Sequence, residues 1–315
     1  MNISSSIQAL LSDEISTDQQ YSIIEKLNKK VFEQNTLYEI AQEFLKHSIN
    51  IENPFNDTLD IVGTGGDGMH TLNYSTLSAL VAHETGAKIA KHGNKSATSK
   101  CGSFDFIQHL NIEIPTTAQQ AEQQLKDERL TWLFAPYFHP IFAKVAKARA
   151  YFAEKGEKTF FNALAPLLNP MKVKRILAGV YDERLLQPYA YAFEKMGITH
   201  AYIVYGDGMD EFTICGINKV IQLHNGKKTI FTLHPEQVGM VRSKSEYLQA
   251  GDASTNFSES QDIFKNELLG PKQDTLILNS AAASHIASGF TDTLADHVSN
   301  IKQKFNTKYF IDLLS

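Results

Sequence analysis

Hydrophobic residues recur every three or four positions through the first fifty residues of the chain. In residues 21–27 and 37–45, Leu, Ile, Phe and Tyr fall on one side of a helix with 3.6 residues per turn. Pro54 and Asn56 then break this pattern. The pattern therefore predicts a helical N-terminal segment that ends near residue 53.

From residue 57 onward, short apolar runs alternate with amphipathic helical patterns. This alternation predicts an α/β fold with a mostly parallel central sheet flanked by helices. Closely spaced later runs predict an antiparallel portion, and the polar stretch 251–260 predicts a surface loop. The predicted strands are residues 59–62, 88–91, 130–134, 175–179, 201–205, 213–217, 219–224 and 227–233.

A cluster of glycines follows the first predicted strand. The β-type run 58–62 leads into a turn that contains Gly63, Gly65, Gly66 and Gly68, and a hydroxyl-rich helical pattern begins near Asn73. Glycine lets the backbone turn through positive φ and approach a ligand closely. A strand, a glycine turn and a helix start together indicate a phosphate site built from backbone N–H groups.

The same turn has other interpretations. Gly63, Gly65 and Gly68 satisfy G-x-G-x-x-G, but the dinucleotide fingerprint needs a helix opening within the glycines and an acidic residue about 20 positions later. An ordinary strand-to-helix turn is the plain alternative. Asp67 would repel a phosphate unless a cation or a sugar hydroxyl accompanies it, which favours a metal–phosphate or phosphosugar ligand.

A basic segment follows the next predicted strand. Residues 88–100 carry four lysines and a histidine, and no Asp or Glu occurs between Glu84 and Asp105. In a chain of net charge −5 this is a local positive region suited to an anion. A solvated lysine loop is the alternative, although His92 and Gly93 beside a strand end favour a site.

These segments resemble the anthranilate phosphoribosyltransferase family, which catalyses the second step of tryptophan biosynthesis. The resemblance rests on DIVGTGGDGMHTLNYST (residues 60–76) and AKHGNKSATSKCGSFDFI (residues 90–107). FAPYFHP, TFFNALAPLLNP, GDGMDE, LHPEQVGM and LILNSAAASHIASG follow in the order of that family, so the resemblance covers residues 14–315. It implies a small helical domain, residues 1–56 joined by a returning segment near 140–168. Residues 57–139 and 169–315 would form the α/β phosphoribosyl-binding domain.

The resemblance also implies the ligands. The donor would be phosphoribosyl pyrophosphate, the acceptor anthranilate, and the cofactor Mg²⁺. Ser75, Asp210 and Glu211 would serve the metal, since adjacent carboxylates suit a hard cation that bridges phosphates, although a turn cap or a solvated pair would also account for Asp210 and Glu211. No residue is assigned as an acid or base, because an aniline-type nitrogen attacks through its lone pair. The implied phosphoribosyl pyrophosphate site consists of Gly63, Thr64, Gly65, Gly66, Asp67, Thr71, Asn73, Ser75, Thr76, Lys91 and Ser103.

The implied anthranilate site consists of Gly63, His92, Asn94 and Arg149. Arg149 matches the family's acceptor-binding arginine when counted forward from His139, and Arg forms bidentate contacts with carboxylates. Counting backward from Asn162 places Phe152 there instead, because the chain has about three additional residues before Gly156. A surface salt bridge is the plain alternative for Arg149.

Composition limits the remaining classes of function. There is no stretch of about 18 apolar residues and no basic-then-apolar leader, and two cysteines give no disulfide framework or zinc spacing. We therefore expect a cytoplasmic protein with no membrane or nucleic-acid partner, and the family resemblance implies a homodimer paired through the helical domain. A same-fold transferase for another aminobenzoate and a pyrimidine nucleoside phosphorylase stay open as alternatives.

Overall fold

The computed structural model describes residues 2–95, 102–110 and 112–314, and it has an α/β fold. Residues 96–100 of the basic segment lie outside the described residues. The strands are β1 Leu59–Gly63, β2 Ile89–Gly93, β3 Leu130–Phe134, β4 Arg175–Gly179, β5 His200–Gly206, β6 Asn218–His224 and β7 Lys227–Leu233. The α-helices are α1 Ile3–Leu10, α2 Thr17–Asn28, α3 Thr36–Leu45, α4 Tyr74–Glu84, α5 Ser103–Ile107, α6 Ala118–Glu128, α7 Ala135–Phe138, α8 Ala146–Glu154, α9 Leu186–Met196, α10 Ala253–Phe264, α11 Pro271–Ala287 and α12 Leu294–Asn306.

The seven strands form one sheet in the order β3-β2-β1-β4-β5-β6-β7. Strands β1 to β5 pair in parallel, whereas β6 and β7 pair antiparallel. The mostly parallel sheet and its antiparallel end are therefore confirmed. Because carboxyl ends of parallel strands meet at one edge, Gly63, Gly93, Gly179 and Gly206 all lie at the same edge of the sheet.

Helices cover both faces of the sheet. One core cluster joins α4, α11 and α12 to the sheet through fully buried residues such as Tyr74 and Trp132. A second cluster joins α1, α2, α3, α8 and α9 to the other face. The N-terminal helices contact α8 and the short 3₁₀ turn Phe160–Ala163. The predicted domain boundaries stay a prediction, since this second core is continuous with the sheet.

The prediction of a strand at residues 213–217 is wrong. This segment is a loop that the side chain of Asn218 closes. Its Oδ1 accepts the Thr213 N–H at 2.7 Å, and its Nδ2 donates to the Thr213 carbonyl at 2.9 Å. A side chain that satisfies the backbone locally removes the need for a strand partner.

The prediction of a loop over residues 251–260 is also wrong, because α10 begins at Ala253. The Asp252 side chain caps this helix by accepting the Thr255 N–H at 2.9 Å. Its apolar residues are sparse, but Ile263 and Phe264 are buried in the core. Tertiary packing of these residues favours a helix in a segment whose polar composition indicated a loop.

Strands β6 and β7 are joined by a two-residue turn, Asn225–Gly226. Both residues have positive φ, 49° and 82°, as a type I′ hairpin turn requires. His224 of β6 pairs with His200 at the start of β5. The turn therefore lies at the edge of the sheet opposite the glycine-terminated strand ends. Among the described residues, none of the helices is sufficiently long and apolar to span a membrane.

Candidate active site

A cavity of about 270 Å³ opens at the glycine-terminated edge of the sheet. The ends of β1 and β2, the N-terminus of α4 and helix α8 supply its walls. Every residue predicted for the two substrate sites and the metal lines this cavity, except Thr76. The structure thus brings together residues from four separate stretches of sequence.

The ends of β1, β4 and β5 carry glycine because the turn holding Asp210 and Glu211 packs directly on them. A Cβ on Gly179 would lie 1.5 Å from the Asp210 carbonyl oxygen, and one on Gly63 would lie 2.2 Å from Asp210 Oδ2. A Cβ on Gly206 would lie 2.0 Å from the Glu211 carbonyl oxygen. Real Cβ atoms do not approach so closely, so these glycines allow the carboxylates to lie at the strand ends.

The glycine turn after β1 has the backbone conformation that its sequence predicted. Gly65, Gly66 and Gly68 have φ values of 70°, 77° and 77°, which residues with a Cβ rarely adopt. The Gly65 N–H donates to Asp210 Oδ2 at 2.6 Å, and Asp67 Oδ1 accepts the Met69 N–H at 3.1 Å. The turn is therefore anchored to one of the carboxylates.

Helix α4 begins at the wall of the cavity. Asn73 is its N-cap and accepts the Thr76 N–H at 3.3 Å, and the Ser75 hydroxyl donates to the same Asn73 oxygen at 3.4 Å. The N-terminus of a helix favours a phosphate through its free N–H groups and its dipole. Thr76 is fully buried and does not line the cavity, so its side-chain role stays a prediction without support from the cavity geometry.

Lys91 is a fully buried cation beneath the cavity. Its Nζ donates to the Ile61 carbonyl at 2.8 Å. Burial lowers the pKa of Lys91 to about 8, although Asp60 and Glu211 favour its charged form. Burial likewise raises the pKa of Asp60 to about 6. Asp60 accepts the His92 N–H at 3.1 Å and the Asn169 amide at 2.8 Å, so it links β1, β2 and the segment before β4.

Asp210 and Glu211 are buried carboxyl groups, and burial raises the pKa of Glu211 by more than the nearby Lys91 lowers it. Burial, followed by the charge of Asp67, raises the pKa of Asp210 to about 7. Burial and the charge of Asp210 raise the pKa of Glu211 well above its usual range. Glu211 Oε2 is buried and has no hydrogen-bond partner among the described residues. A buried carboxylate oxygen without a donor is suited to a cation.

A divalent metal at this position would need additional oxygen ligands. No group of three or more His, Cys, Asp or Glu side chains is arranged to hold a metal ion in residues 2–95, 102–110 and 112–314. The carboxylates and the Ser75 hydroxyl fit Mg²⁺, which is usually bound by one or two carboxylates together with phosphates and waters.

Arg149 projects from α8 and lies beside two aromatic rings. Its Cζ atom lies 5.2 Å from the centre of the Phe142 ring and 5.4 Å from that of Phe161. Burial lowers the pKa of this guanidinium. Phe152, the alternative in the sequence alignment, is instead buried in the core beside Tyr21. The geometry therefore favours Arg149 over Phe152 as the residue that faces a substrate.

His92 lies in β2 and lines the cavity. Its Nδ1 is 3.2 Å from the Ala165 carbonyl oxygen, and its Nε2 is buried without a partner among the residues that the structure describes. Burial holds the pKa of His92 well below its usual range, and the nearby His139 ring adds to this effect. His92 is therefore neutral at pH 7. The carbonyl contact fits a ring that is protonated on Nδ1 and keeps an acceptor at Nε2.

The cavity also contains residues that the sequence did not indicate. The most prominent is Asn162, whose Oδ1 accepts the Thr159 N–H at 2.9 Å. Its Nδ2 lies 3.9 Å from where a Cβ on Gly66 would be, and Lys158 Cε lies 3.8 Å from the same point. Asn162 belongs to the TFFN motif of the resemblance, which was the signal available in the sequence. His70 and Phe161 line the cavity as well.

Comparisons with known proteins agree with this architecture. The glycosyl transferase family, a/b domain, matches residues 56–307. Anthranilate phosphoribosyltransferase of Methanosarcina acetivorans is 41% identical over 234 residues, which span 74% of this chain and 62% of the relative. The match therefore spans less than two thirds of that relative's length.

Solved structures match nearly the whole chain. The Thermus thermophilus anthranilate phosphoribosyltransferase superposes with a TM-score of 0.88 at 31% identity, covering 99% of this chain and 92% of that one. The Saccharomyces cerevisiae enzyme in complex with PRPP and Mg gives 0.83 at 26% identity, covering 99% and 89%. The same enzyme in complex with 4-fluoroanthranilate gives 0.82 at 26% identity, again covering 99% and 89%. The chain belongs to the anthranilate phosphoribosyltransferase family.

Proposed function

We propose that this protein transfers the phosphoribosyl group of phosphoribosyl pyrophosphate to the amine of anthranilate. The products are N-(5-phosphoribosyl)anthranilate and pyrophosphate. The observation that carries the proposal is one cavity in which a glycine turn, a helix N-terminus and two buried carboxyl groups face a guanidinium without a carboxylate partner among the described residues.

The donor half of the site supports an anionic phosphosugar. Gly65 and Gly66 bring backbone to the cavity, and Asn73 and Ser75 lie at the N-terminus of α4. The buried Lys91 adds positive charge beneath them. The yeast relative was solved in complex with PRPP and Mg, which supports the same donor here. Gly63, Thr64, Asp67, Thr71 and Ser103 line the same cavity and belong to the proposed donor site, as does the buried Thr76.

Mg²⁺ is the proposed cofactor, with Ser75, Asp210 and Glu211 as its protein-side contacts. The unpartnered Glu211 oxygen fits this role. When bound, the ion supplies positive charge that stabilises the pyrophosphate leaving group. The yeast relative in complex with PRPP and Mg supports this assignment.

The acceptor half of the site supports an aromatic carboxylate. Arg149 offers a planar cation for the carboxylate, and the Phe142 and Phe161 rings pack beside that cation. Gly63, His92 and Asn94 line the same cavity as Arg149. The yeast relative in complex with 4-fluoroanthranilate supports an aminobenzoate as the acceptor.

In the proposed reaction, the C1–O bond to pyrophosphate breaks as the amine nitrogen forms a bond to ribose C1. The leaving oxygen takes the electron pair, and the nitrogen loses its proton afterwards. Positive charge develops on the ribose while negative charge develops on the leaving group. The backbone N–H groups of the glycine turn, the N-terminus of α4 and Lys91 would stabilise that negative charge, and Arg149 would align the amine.

A fluorescence assay tests the proposal directly. Purified protein is mixed with Mg²⁺, phosphoribosyl pyrophosphate and anthranilate, and the loss of anthranilate emission is followed. We expect loss only when all three components are present. Release of pyrophosphate with other aromatic amines, but no loss of anthranilate, would move the acceptor to another aminobenzoate. No reaction with any amine, together with phosphorolysis of a pyrimidine nucleoside, would contradict the proposal.

We also propose that the protein is a cytoplasmic homodimer that pairs through its N-terminal helices, and that the helical and α/β domains divide near residues 56, 140 and 168. The contact of α2 with α8 supports the grouping of the helical segments. Sedimentation analysis of the purified protein would test the dimer, since a single species of 35.2 kDa would contradict it.

A further inference from the structure

A second cavity lies at the opposite edge of the sheet from the active site. Its volume is about 430 Å³, and four lysines line it: Lys46, Lys172, Lys174 and Lys195. We refer to it as the lysine cavity. Lys174 directly precedes β4, so the full length of that strand separates the lysine cavity from the carboxylates at Gly179.

The charge of the lysine cavity is not balanced locally. Lys46 forms an ion pair with Glu43 at 2.6 Å. Lys172, Lys174 and Lys195 form none among the described residues, and no Asp or Glu lines the cavity. The chain as a whole has a net charge of −5. A cationic concavity on an acidic protein attracts anions and repels cations.

Helix ends explain only half of these lysines. Lys46 is the C-cap residue of α3, and Lys195 lies in the last turn of α9, where a cation stabilises the carbonyl end of a helix. Lys172 and Lys174 lie outside any helix. Lys172 and Lys174 therefore bring positive charge to the cavity that no helix end stabilises, and a bound anion would stabilise it.

The floor of the lysine cavity is apolar. Val173 is buried, and Leu45, Met196 and Ile198 are partly buried around it. A floor of this kind favours a flat apolar group over water. The combination of a cationic rim and an apolar floor selects a ligand that has several negative charges at one end and an apolar body at the other.

We propose that the lysine cavity binds an organic polyphosphate of the nucleoside triphosphate class. Its phosphates lie among the four ammonium groups, which bind phosphate as point charges. Its base packs on the partly buried side chains of Leu45, Met196 and Ile198. The site is formed by α3, by the segment before β4 and by the end of α9, so the ligand connects the N-terminal helices to the sheet. This inference does not depend on the proposed function.

Calorimetric titration with ATP tests the inference. We expect saturable binding to the full chain that becomes weaker by at least about tenfold in Lys172→Gln with Lys195→Gln, because each lysine contributes a charged hydrogen bond. The matched control, Lys227→Gln with Lys228→Gln, removes the same charge from the exposed strand β7 and should change the affinity less than about twofold. Affinity should also fall as salt rises.

Three further titrations separate the alternatives. Saturating phosphoribosyl pyrophosphate with Mg²⁺ should not displace ATP, and displacement would place ATP in the active site and overturn the inference. Tripolyphosphate and adenosine should each bind more weakly than ATP, and tripolyphosphate of equal affinity would overturn the role of the apolar floor.

An equal loss of ATP affinity in the cavity variant and in the control variant, or no saturation at millimolar ATP, would contradict the site. If the first pair lowers the midpoint of unfolding, Lys46→Gln with Lys174→Gln serves in its place.

Discussion

At the scale of single residues, Arg149 is a cation with aromatic neighbours and no carboxylate partner among the described residues. We expect Arg149→Ala to raise the Michaelis constant for anthranilate by about 10- to 100-fold, the cost of losing a charged hydrogen bond. The Michaelis constant for phosphoribosyl pyrophosphate should change little. Steady-state kinetics with each substrate varied in turn provides the measurement.

The matched control for Arg149 is Arg184→Ala. Arg184 is an exposed arginine that pairs with Asp182 and lies over Phe32, away from the active-site cavity. It should leave both Michaelis constants unchanged. Equal effects of Arg149→Ala on both substrates would reject its proposed contact with the acceptor.

Asp210 and Glu211 should support metal binding and at the same time lower the stability of the metal-free protein. We expect Asp210→Asn with Glu211→Gln to lower turnover by roughly two orders of magnitude and to weaken its dependence on Mg²⁺. The same variant should unfold at a higher temperature at pH 8 without metal. The pKa of Asp210 is raised to about 7 and that of Glu211 well above its usual range. At pH 8 both groups ionise more readily in the unfolded chain than in the folded protein, so they lower the free energy of unfolding.

Thermal melts and magnesium titrations measure the melting temperature and the magnesium dependence of Asp210→Asn with Glu211→Gln. The control, Glu236→Gln with Glu246→Gln, removes two exposed carboxylates. Unchanged magnesium curves would exclude Asp210 and Glu211 from the metal site. A lower melting temperature at pH 8 would contradict the view that they are buried without adequate partners.

Most candidate residues could be read from the sequence because each half of the donor site is contiguous in the chain. The glycine turn and the start of α4 lie within one short stretch, and Lys91 lies in the next strand. Asn162 could not be derived from pattern, because its position opposite Gly66 depends on how a distant segment packs. Arg149 needed the structure for a similar reason, since α8 decides whether it or Phe152 points inward.

At the scale of secondary structure elements, the glycine-terminated strands limit what the sheet edge accepts. A Cβ on Gly179 would overlap the Asp210 carbonyl. We expect Gly179→Ala to lower the free energy of unfolding by about 3 kcal/mol and to abolish turnover, because β4 and the carboxylate turn must separate. Gly86→Ala, where φ is 105° but the surrounding space is open, should cost only the backbone strain of about 1 kcal/mol. Urea denaturation compares the two, and equal losses would contradict this account.

The elements that the sequence predicted correctly are those with a strong periodic signal. The sheet strands fall within one or two residues of their predicted positions. The two failures occur where local hydrogen bonds or packing decided the outcome: Asn218 closes the 213–217 loop, and Asp252 caps α10. Strand order in the sheet likewise depends on tertiary packing and could not be read from periodicity.

At the scale of the whole molecule, several interior histidines are held neutral. Burial lowers the pKa of His139, His200 and His285 to about 4 and that of His92 well below its usual range. The unfolded chain binds protons at these sites below about pH 6.5, whereas the folded protein does not until about pH 4. These histidines therefore lower stability as the pH falls through that window.

The raised pKa values of the Asp60, Asp210, Glu211 and Asp274 carboxyl groups act in the opposite direction. The histidine contribution is therefore measured in Asp210→Asn with Glu211→Gln, where four histidines oppose the two of these carboxyl groups that remain. In that variant we expect the free energy of unfolding to decrease as the pH is lowered from 6.5 to 4.5, with net proton uptake on unfolding. Denaturant titrations at several pH values give the slope. A flat or increasing stability over this range would show that the histidines are not kept neutral in the fold.

The Asn225–Gly226 turn has a practical consequence for handling the protein. It connects two antiparallel strands that carry no active-site residue, and it lies on the order of 20 Å along β5 from the glycine-terminated edge. A fluorophore, an affinity tag or a surface tether introduced there would report on or immobilise the protein without obstructing the active-site cavity. The hairpin thus provides an attachment point in the middle of the chain that leaves both termini free.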